Sequence, residues 1–421
     1  MKRRAALAAV IALALPAGAS ADSYFAVKGA PAPGPAKYDK VWLQQIGPAS
    51  ARHVFVVVPG SQGAAGSLTL MARDVQVALG PDWQLWLEDR RQNAFDDLTG
   101  FKSGDPDAAK AYYLGFKYKQ VHTAAVPFAR KWGLAVALND LHNVVKRAAA
   151  GGRKVVLGGH SFGASAAIAY AAWDFNGQPG FKGLSGIVLI DGGELGAFTG
   201  GSGRLTLKQV KARKAKIDKG EAFNDLLGIG NPSIPEIFSE VAALYAQKEP
   251  DAPSALQSNP LVPASLRPPF PATNAQFLAY IFDEKTALGP DLAVRPENVD
   301  AARLAQAFGQ LQPQFAEWYY PSRLGLDTFA ADSMKRDAVT NYLGLRLWHT
   351  KQINLPLFAY QTDLTKGGVI AGARAVQKAS KITRLVEVDD SATAAHLDPV
   401  IAPPQTNGFT QKVVPFLKSL R

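Results

Sequence analysis

Short apolar runs alternate with amphipathic segments through the first half of the chain. Runs of about four to eight apolar residues, enriched in β-branched side chains, predict buried strands. These predicted strands cover residues 38–46, 53–58, 83–87, 155–157 and 184–190. Apolar residues at steps of three and four predict helices over 67–79 and 133–149. The alternation is typical of a mostly parallel sheet with helices on both faces. An extended segment over 22–37, rich in Ala, Pro and Gly, precedes it.

The alternation stops near Ile190 and resumes near Leu355. In between, the sequence predicts helices broken by prolines and contains no convincing buried strand. The predicted helices lie near residues 206–219, 233–247, 273–288, 299–311 and 328–350. Later strands are predicted at 355–361 and 383–388, and later helices at 368–379 and 409–420. We therefore predict an α/β core built from residues 22–194 and 354–421, with a mainly helical cap, residues 195–353, inserted over the carboxyl edge of the sheet.

The first 21 residues predict export. Lys2, Arg3 and Arg4 precede an apolar run over 5–15, and an Ala-X-Ala site ends at Ala21. The apolar run is too short to span a bilayer. We expect a signal peptide over 1–21, cleavage after Ala21, and a secreted or periplasmic protein with no stable membrane anchor. Since the chain has no cysteine, we expect neither a lipid-anchored N-terminus nor a disulfide.

Composition and charge fit an ordinary globular protein. A chain of 421 residues can form one large domain with an insertion or two ordinary domains. Its residues are 47% hydrophobic and 10% aromatic, which is enough for a sizeable core. The formal net charge is +11, with cations scattered along the chain. One basic cluster, over 208–219, lies on the helix predicted near 206–219, and we interpret it as a solvated helix face. No nucleic-acid-binding motif accompanies it, so we expect no nucleic-acid partner, while the oligomeric state stays open.

A Gly-X-Ser-X-Gly pentapeptide at residues 159–163 follows the apolar run 155–157 and precedes an alanine-rich segment. Glycines two places on either side of Ser161 allow a turn so tight that Cβ atoms there would clash. Such a turn holds the serine hydroxyl clear of the sheet. It also aims the next backbone N–H, that of Phe162, at a bound acyl oxygen. Ser161 is therefore the predicted nucleophile.

A serine nucleophile needs a histidine base, and the histidine needs a carboxylate to orient it. Of the six histidines, His396 lies just after the last predicted strand, at the carboxyl edge where open α/β sheets bind ligands. His160 adjoins Ser161 in the chain, but its side chain leaves the backbone in another direction. His396 is therefore the predicted base.

Two aspartates compete for the role of orienting carboxylate. Asp363 follows the predicted strand at 355–361 and produces the chain order Ser, Asp, His. Asp191 follows the strand at 184–190, where its side chain could instead bind loop amides. We favour Asp363 and keep Asp191 as the alternative.

The oxyanion that forms during acyl transfer needs preorganised N–H donors, commonly two. Phe162 N–H is the first. We expect the second from the loop after strand 53–58, where Gly60 and Gly63 bracket Ser61 and Gln62. The glycine spacing also resembles a phosphate-binding loop, but the required lysine is missing, so we expect no nucleotide. The histidines show no ligand spacing, so neither a metal nor another cofactor is expected.

The glycine loop at 59–63, the turn at 159–163, Asp363 and His396, in this order, resemble the α/β-hydrolase fold in its capped serine-hydrolase form. The resemblance covers roughly the two core segments, and the cap matches no family. It implies an eight-stranded, mostly parallel sheet and a triad of Ser161, Asp363 and His396, with Ser61 or Gln62 as the second oxyanion donor. The family often has His-Gly where this chain has Pro59-Gly60, which affects only the identity of that donor.

The resemblance implies a serine hydrolase that acts through an acyl-enzyme on a carboxylic ester or lactone. Because a large cap would obstruct a polymer, we expect a small or medium apolar substrate, and residues 318–320 of the cap could line its cavity. An acyltransferase or a peptidase would use the same triad. A non-catalytic binding protein of the same fold is the remaining alternative.

Overall fold

The computed structural model describes residues 22–198, 204–225, 228, 230–262, 264–287, 289–310 and 312–420. The predicted signal peptide lies outside these residues. The strands are β1 (Ser23–Lys28), β2 (Lys40–Ile46), β3 (His53–Val58), β4 (Trp83–Asp89), β5 (Lys154–His160), β6 (Asp174–Phe175), β7 (Gln178–Pro179), β8 (Gly186–Ile190), β9 (Leu357–Gln361) and β10 (Leu385–Asp389).

Eight of these strands form one sheet in the order β1-β2-β4-β3-β5-β8-β9-β10, and β6 and β7 form a separate hairpin. The pairings from β4 through β10 are parallel, whereas β1–β2 and β2–β4 are antiparallel. This confirms the predicted eight-stranded, mostly parallel sheet. The early segment was predicted only as extended, but Ser23–Lys28 pairs along its full length with β2. As an edge strand with half-exposed side chains, β1 lacks the buried apolar run that marks the central strands.

The α-helices lie between and after the strands. They are α1 (Thr69–Leu79), α2 (Pro106–Tyr113), α3 (Leu134–Ala148), α4 (Phe162–Ala172), α5 (Leu207–Lys219), α6 (Ile234–Lys248), α7 (Asn274–Phe282), α8 (Ala301–Phe308), α9 (Ser322–Ala331), α10 (Ala338–Leu343), α11 (Gly368–Ala379), α12 (Asp398–Ile401) and α13 (Gly408–Lys418). The helix predicted over 328–350 is two helices, α9 and α10, and the one predicted over 273–288 already ends at Phe282.

Alternate residues of the central strands point into two separate cores. On β3, Phe55 and Val57 face α1 and α13, while Val54 and Val56 face α3 and α4. All four side chains are fully buried. The sheet is thus covered on both faces, which explains why its central strands are continuous apolar runs rather than alternating ones.

The segment over 195–353, called the insertion below, joins β8 to β9. Its described residues form helices α5–α10 and turns, with isolated bridges but no extended strand. Helices α6, α7 and α8 pack together and share a core with α1 of the sheet domain. Helices α6–α8 of the insertion thus lie on the face of the sheet that α1 and α13 cover, whereas α9 packs against α3 and α4 on the other face.

Candidate active site

Ser161 lies at the apex of the turn between β5 and α4, with φ 56° and ψ −125°. The flanking glycines make this turn possible. A Cβ on Gly159 would lie 2.1 Å from the carbonyl carbon of Gly163, and one on Gly163 would lie 2.1 Å from Val58 O. Phe162 opens α4, so its N–H has no acceptor within the helix and lies at the positive end of the helix dipole. The predicted turn, with Ser161 at its apex, is present.

His396 contacts Asp191. Its Nδ1 lies 2.5 Å from Asp191 Oδ2, and both side chains are buried. Asp191 also accepts hydrogen bonds from Thr362, through the backbone N–H at 2.9 Å and through the hydroxyl. Burial alone would raise the pKa of Asp191, but His396 and Thr362 outweigh it and hold this pKa below its usual value. A buried carboxylate that accepts the Nδ1 proton leaves Nε2 of His396 as the basic nitrogen.

The structure corrects the predicted partner of His396. Asp363 forms an ion pair with Arg295 of the insertion, with Nη2 and Oδ2 3.4 Å apart, rather than meeting His396. Arg295 also binds Glu284 through Nη1 at 2.9 Å. Burial raises the pKa of Asp363; the charge of Arg295 opposes this rise and Glu284 adds to it. Asp363 thus joins the core to the insertion, and Asp191, the alternative, occupies the position beside the histidine.

His160 supports the loop that carries His396. Its Nε2 lies 2.9 Å from the carbonyl oxygen of His396, and the two imidazole rings are 4.4 Å apart between centroids. Burial and the neighbouring His396 lower the pKa of His160 to about 3, so it is neutral and donates from Nε2. The same loop is held by Asp398, which accepts Ala395 N–H at 2.7 Å, and by Leu397 N–H, which donates to Ala293 O of the insertion at 3.0 Å. No sequence pattern around residue 160 predicted this role of His160.

The loop after β3, residues 59–63, passes beside Ser161. A Cβ on Gly60 would lie 3.0 Å from Ser161 Cβ. Arg90, at the end of β4, donates to Gly60 O at 3.0 Å and to Pro59 O. Because the C=O and N–H of a trans peptide point in opposite directions, the Ser61 N–H points away from Arg90. Gln62, the other predicted donor, has φ 57° and donates its side-chain amide to Glu236.

The insertion pairs with this loop through backbone hydrogen bonds. Gly63 and Ala316 form an antiparallel bridge, flanked by bonds from Glu317 N–H to Gln62 O and from Ala64 N–H to Phe315 O, both 2.8 Å. The loop therefore holds its shape through contacts with a segment some 250 residues further along the chain.

A buried ion pair lies behind the loop. Arg90 Nη1 and Glu317 Oε1 are 2.9 Å apart, and Gln92 donates to Glu317 Oε2 at 3.0 Å. Burial raises the pKa of Glu317 to about 7, although the charge of Arg90 opposes the rise. The Glu317 backbone and side chain thus bind the loop directly and through Arg90.

Ser161, His396 and the loop meet at one cavity of about 120 Å³. The insertion and the chain after His396 line this cavity mainly with apolar side chains. These include Phe282, Leu292, Phe308, Phe315, Leu397 and Val400. The expectation that residues 318–320 line it was wrong, since these three aromatic side chains are almost wholly buried in packing.

Across the described ranges, from residue 22 to residue 420 with their gaps, no group of three or more His, Cys, Asp or Glu side chains could hold a metal ion. The helices in that part of the chain are all too short or too polar to cross a membrane.

No protein-family model matches the chain, and no curated protein matches it in sequence. Its structure is similar to that of a Sulfolobus solfataricus protein with a provisional lipase assignment, at a TM-score of 0.54 and 16% identity over 95% of this chain and 94% of that one. A carboxyl esterase from Bacillus coagulans (TM-score 0.46, 14% identity, 95% and 99% covered) and the epoxide hydrolase VrEH1 from Vigna radiata (0.46, 12%, 94% and 98%) are more distant. The chain has the α/β-hydrolase fold, as its sequence resemblance implied. At these identities the likeness concerns the fold and not the reaction.

Proposed function

We propose that the protein is a serine hydrolase that cleaves a carboxylic ester or lactone through an acyl-enzyme. The observation that carries this proposal is the buried pair of Asp191 and His396, in which His396 lines the same cavity as Ser161. Ser161 is the nucleophile, His396 the general base and Asp191 the orienting carboxylate. In this assignment Asp191 replaces Asp363.

In the first step Ser161 Oγ attacks the ester carbonyl while His396 Nε2 takes the hydroxyl proton. The negative charge on the carbonyl oxygen is stabilised by Phe162 N–H and by an N–H of the 59–63 loop. Arg90 binds the Gly60 carbonyl, so the Ser61 N–H of the same peptide points away from Arg90, and we favour Ser61 over Gln62 as this donor. His396 then returns its proton to the leaving alcohol, which departs and leaves an acyl-Ser161 ester. A water molecule repeats the sequence, releases the acid and restores the serine.

The cavity supports a small or medium substrate with apolar parts. At about 120 Å³ it is small beside the drug-sized pockets of about 300–1,000 Å³, and three phenylalanines contribute to its lining. The insertion contributes much of this lining and so would act as a cap over the nucleophile. Such a cap would obstruct a polymer chain at Ser161.

The test is a comparison of wild type, Ser161→Ala and Ser239→Ala on short p-nitrophenyl esters, together with labelling by a fluorophosphonate probe. Ser239 also lines the cavity but belongs to α6, so its variant controls for loss of a cavity hydroxyl. We expect hydrolysis and labelling in wild type and Ser239→Ala, and neither in Ser161→Ala. Retention of full activity by Ser161→Ala would overturn the assignment. Products formed with competing alcohols and amines would distinguish a hydrolase from a transferase.

We also propose that the protein is exported and cleaved after Ala21. Asp22, the first residue after this site, binds Arg73 through its carboxylate at 2.7 Å, and β1 begins at Ser23. Cleavage at Ala21 would therefore leave the eight-stranded sheet complete. The mass of the N-terminal peptide of the exported protein tests the site, and a mature chain that begins after Lys28 would contradict it because β1 would be lost.

A further inference from the structure

The cavity at Ser161 has a polar corner within its largely apolar lining. Glu236 and Ser239 both line it and lie three residues apart on α6, which places them on one face of the helix. Ser239 Oγ donates to Pro235 O at 3.0 Å, so its lone pairs can still accept a hydrogen bond. A substrate that filled this cavity with hydrocarbon alone would leave Glu236 Oε2 unpaired and would offer Ser239 Oγ no donor.

Glu236 holds a hydrogen-bonding atom that the protein does not use. Its Oε1 accepts from the Gln62 side chain at 2.6 Å, while its Oε2 is buried and has no partner. Among the described residues that line this cavity, Glu236 is the one with such an atom. Buried polar atoms are nearly always paired, so an unpaired one on a residue that lines the cavity at Ser161 is available for a ligand contact.

The surroundings of Glu236 define the chemistry of that ligand. Burial raises the pKa of Glu236 well above its usual value; its own backbone N–H opposes this rise, and the nearby carboxyl groups of Glu240, Asp225 and Glu317 add to it. The neutral acid is therefore favoured, with its proton on Oε2, because Oε1 accepts from Gln62. Oε2–H needs an acceptor, and Ser239 beside it offers one more acceptor. A hydroxyl group, which both accepts and donates, matches this pair.

We propose that the ester or lactone cleaved at Ser161 carries a hydroxyl group, and that Glu236 binds this hydroxyl through Oε2. The inference rests on the proposed serine hydrolase and narrows its substrate class from apolar esters to hydroxy esters. Glu236 acts here as a specificity-determining residue that touches the substrate. It also links the specificity site to the 59–63 loop, because its other oxygen binds Gln62.

The experiment compares kcat/KM for two pairs of esters in which a hydroxyl replaces a methyl group of the same size. Ethyl 3-hydroxybutanoate against ethyl 3-methylbutanoate tests a hydroxyl on the acyl side. 2-Hydroxyethyl butanoate against propyl butanoate tests one on the alcohol side. We expect wild type to favour the hydroxy ester about tenfold or more in one pair, the discrimination of one buried hydrogen bond.

Three variants locate the preference. Glu236→Met keeps the side-chain volume without the polar atoms, and its ratio within the selective pair should fall to about one. Glu236→Gln keeps a donor beside an acceptor and should retain most of the preference. Glu240→Gln, one turn further along α6 and outside the cavity lining, should leave the ratio unchanged. The ratio is the readout because a general effect through Gln62 would slow both esters of a pair equally. Glu236→Ala replaces the Met variant if that variant does not fold.

Two results would overturn the inference: a wild-type ratio near one in both pairs, or a preference that survives in Glu236→Met. In either case Ser161-dependent hydrolysis of the plain esters would leave the proposed function standing. If no ester is cleaved and the fluorophosphonate probe does not label Ser161, the proposed function fails and the inference falls with it.

Discussion

Asp191 and His396 are 205 residues apart in the chain, yet Asp191 Oδ2 and His396 Nδ1 are 2.5 Å apart. The carboxylate comes from the end of β8, the strand beside β5, rather than from the end of β9. Thr362, the residue next to Asp363, provides two hydrogen bonds to Asp191. The end of β9 therefore supports the acid without supplying it.

Asp191→Asn should lower kcat by about 10⁴-fold, because an amide does not stabilise the imidazolium and can hold the wrong tautomer of His396. Asp363→Asn is the matched control, since it removes the other candidate carboxylate at the next strand end. We expect its kcat/KM to stay within about threefold of wild type. Steady-state kinetics on one p-nitrophenyl ester measures both. A large loss in Asp363→Asn with little loss in Asp191→Asn would restore the original assignment.

Substitutions in the Arg90–Glu317 pair should affect the free energy of unfolding and kcat differently. Arg90→Met leaves Glu317 buried without its cation and should lower the free energy of unfolding by about 3–5 kcal/mol. The double variant Arg90→Met/Glu317→Met removes both charges and should recover much of that loss. Its kcat should nevertheless stay about 10- to 100-fold low, because the carbonyls of Pro59 and Gly60 have lost their donor and the loop loses its orientation.

Urea unfolding and ester kinetics on wild type and the two variants test this relationship. Full recovery of kcat in the double variant would mean that Arg90 does not orient the loop. An equally unstable double variant would mean that the two residues contribute through packing and not through their charges.

Buried carboxyl groups should make the fold less stable as pH rises. Burial raises the pKa of Glu240 to about 8, against an unfolded value near 4.5. The native state therefore binds more protons than the unfolded state between these two pH values, and the free energy of unfolding falls as pH increases through that range. Glu240→Gln mimics the protonated acid, still accepts from Trp318, and should flatten this slope.

Urea unfolding of wild type and Glu240→Gln at pH 5, 7 and 9 measures the effect. The variant should match wild type at pH 5 and exceed its stability at pH 9. Parallel curves for the two proteins would show that Glu240 does not titrate in this range.

Gly163→Ala should prevent stable folding or cost more than about 3 kcal/mol, since its Cβ would lie 2.1 Å from Val58 O, a backbone atom of a central strand. Gly80→Ala is the control, because Gly80 follows the last residue of α1 with φ 84° but has open space around it. Its cost should be about 1–2 kcal/mol from backbone strain alone. Thermal unfolding compares the two, and equal costs would contradict the close packing of the turn at Ser161.

The sequence predicted the central strands and the turn at 159–163 because each depends on a short run of neighbouring residues. Helices cover both faces of β3, with Phe55 and Val57 buried on one face and Val54 and Val56 on the other, so its sequence is a continuous apolar run. Ser161 needs glycines at fixed places around it. Edge strand β1 was not predicted, because its half-exposed residues form no continuous apolar run.

The choice between Asp191 and Asp363 could not be made in the same way. Both follow a parallel strand, and both therefore reach the same edge of the sheet. What separates them is Arg295, which comes from a loop of the insertion and binds Asp363. The position of that arginine depends on how the insertion folds back on the core, and no local pattern near residue 363 records it. For the same reason the contacts of Glu236 and Glu317 with the 59–63 loop were not foreseen.

The antiparallel bridge between Gly63 and Ala316 has a consequence for protein engineering. Residues 195–353 look like a module that could be exchanged between related folds to change specificity. Here the module also supplies backbone partners to a loop of the host, through Phe315 and Glu317. A chimera would need to keep that short stretch. Otherwise the exchange would change the cavity lining and also remove the backbone hydrogen bonds that hold the 59–63 loop beside Ser161. Libraries should therefore vary the α6–α8 side of the cavity and leave 314–317 untouched.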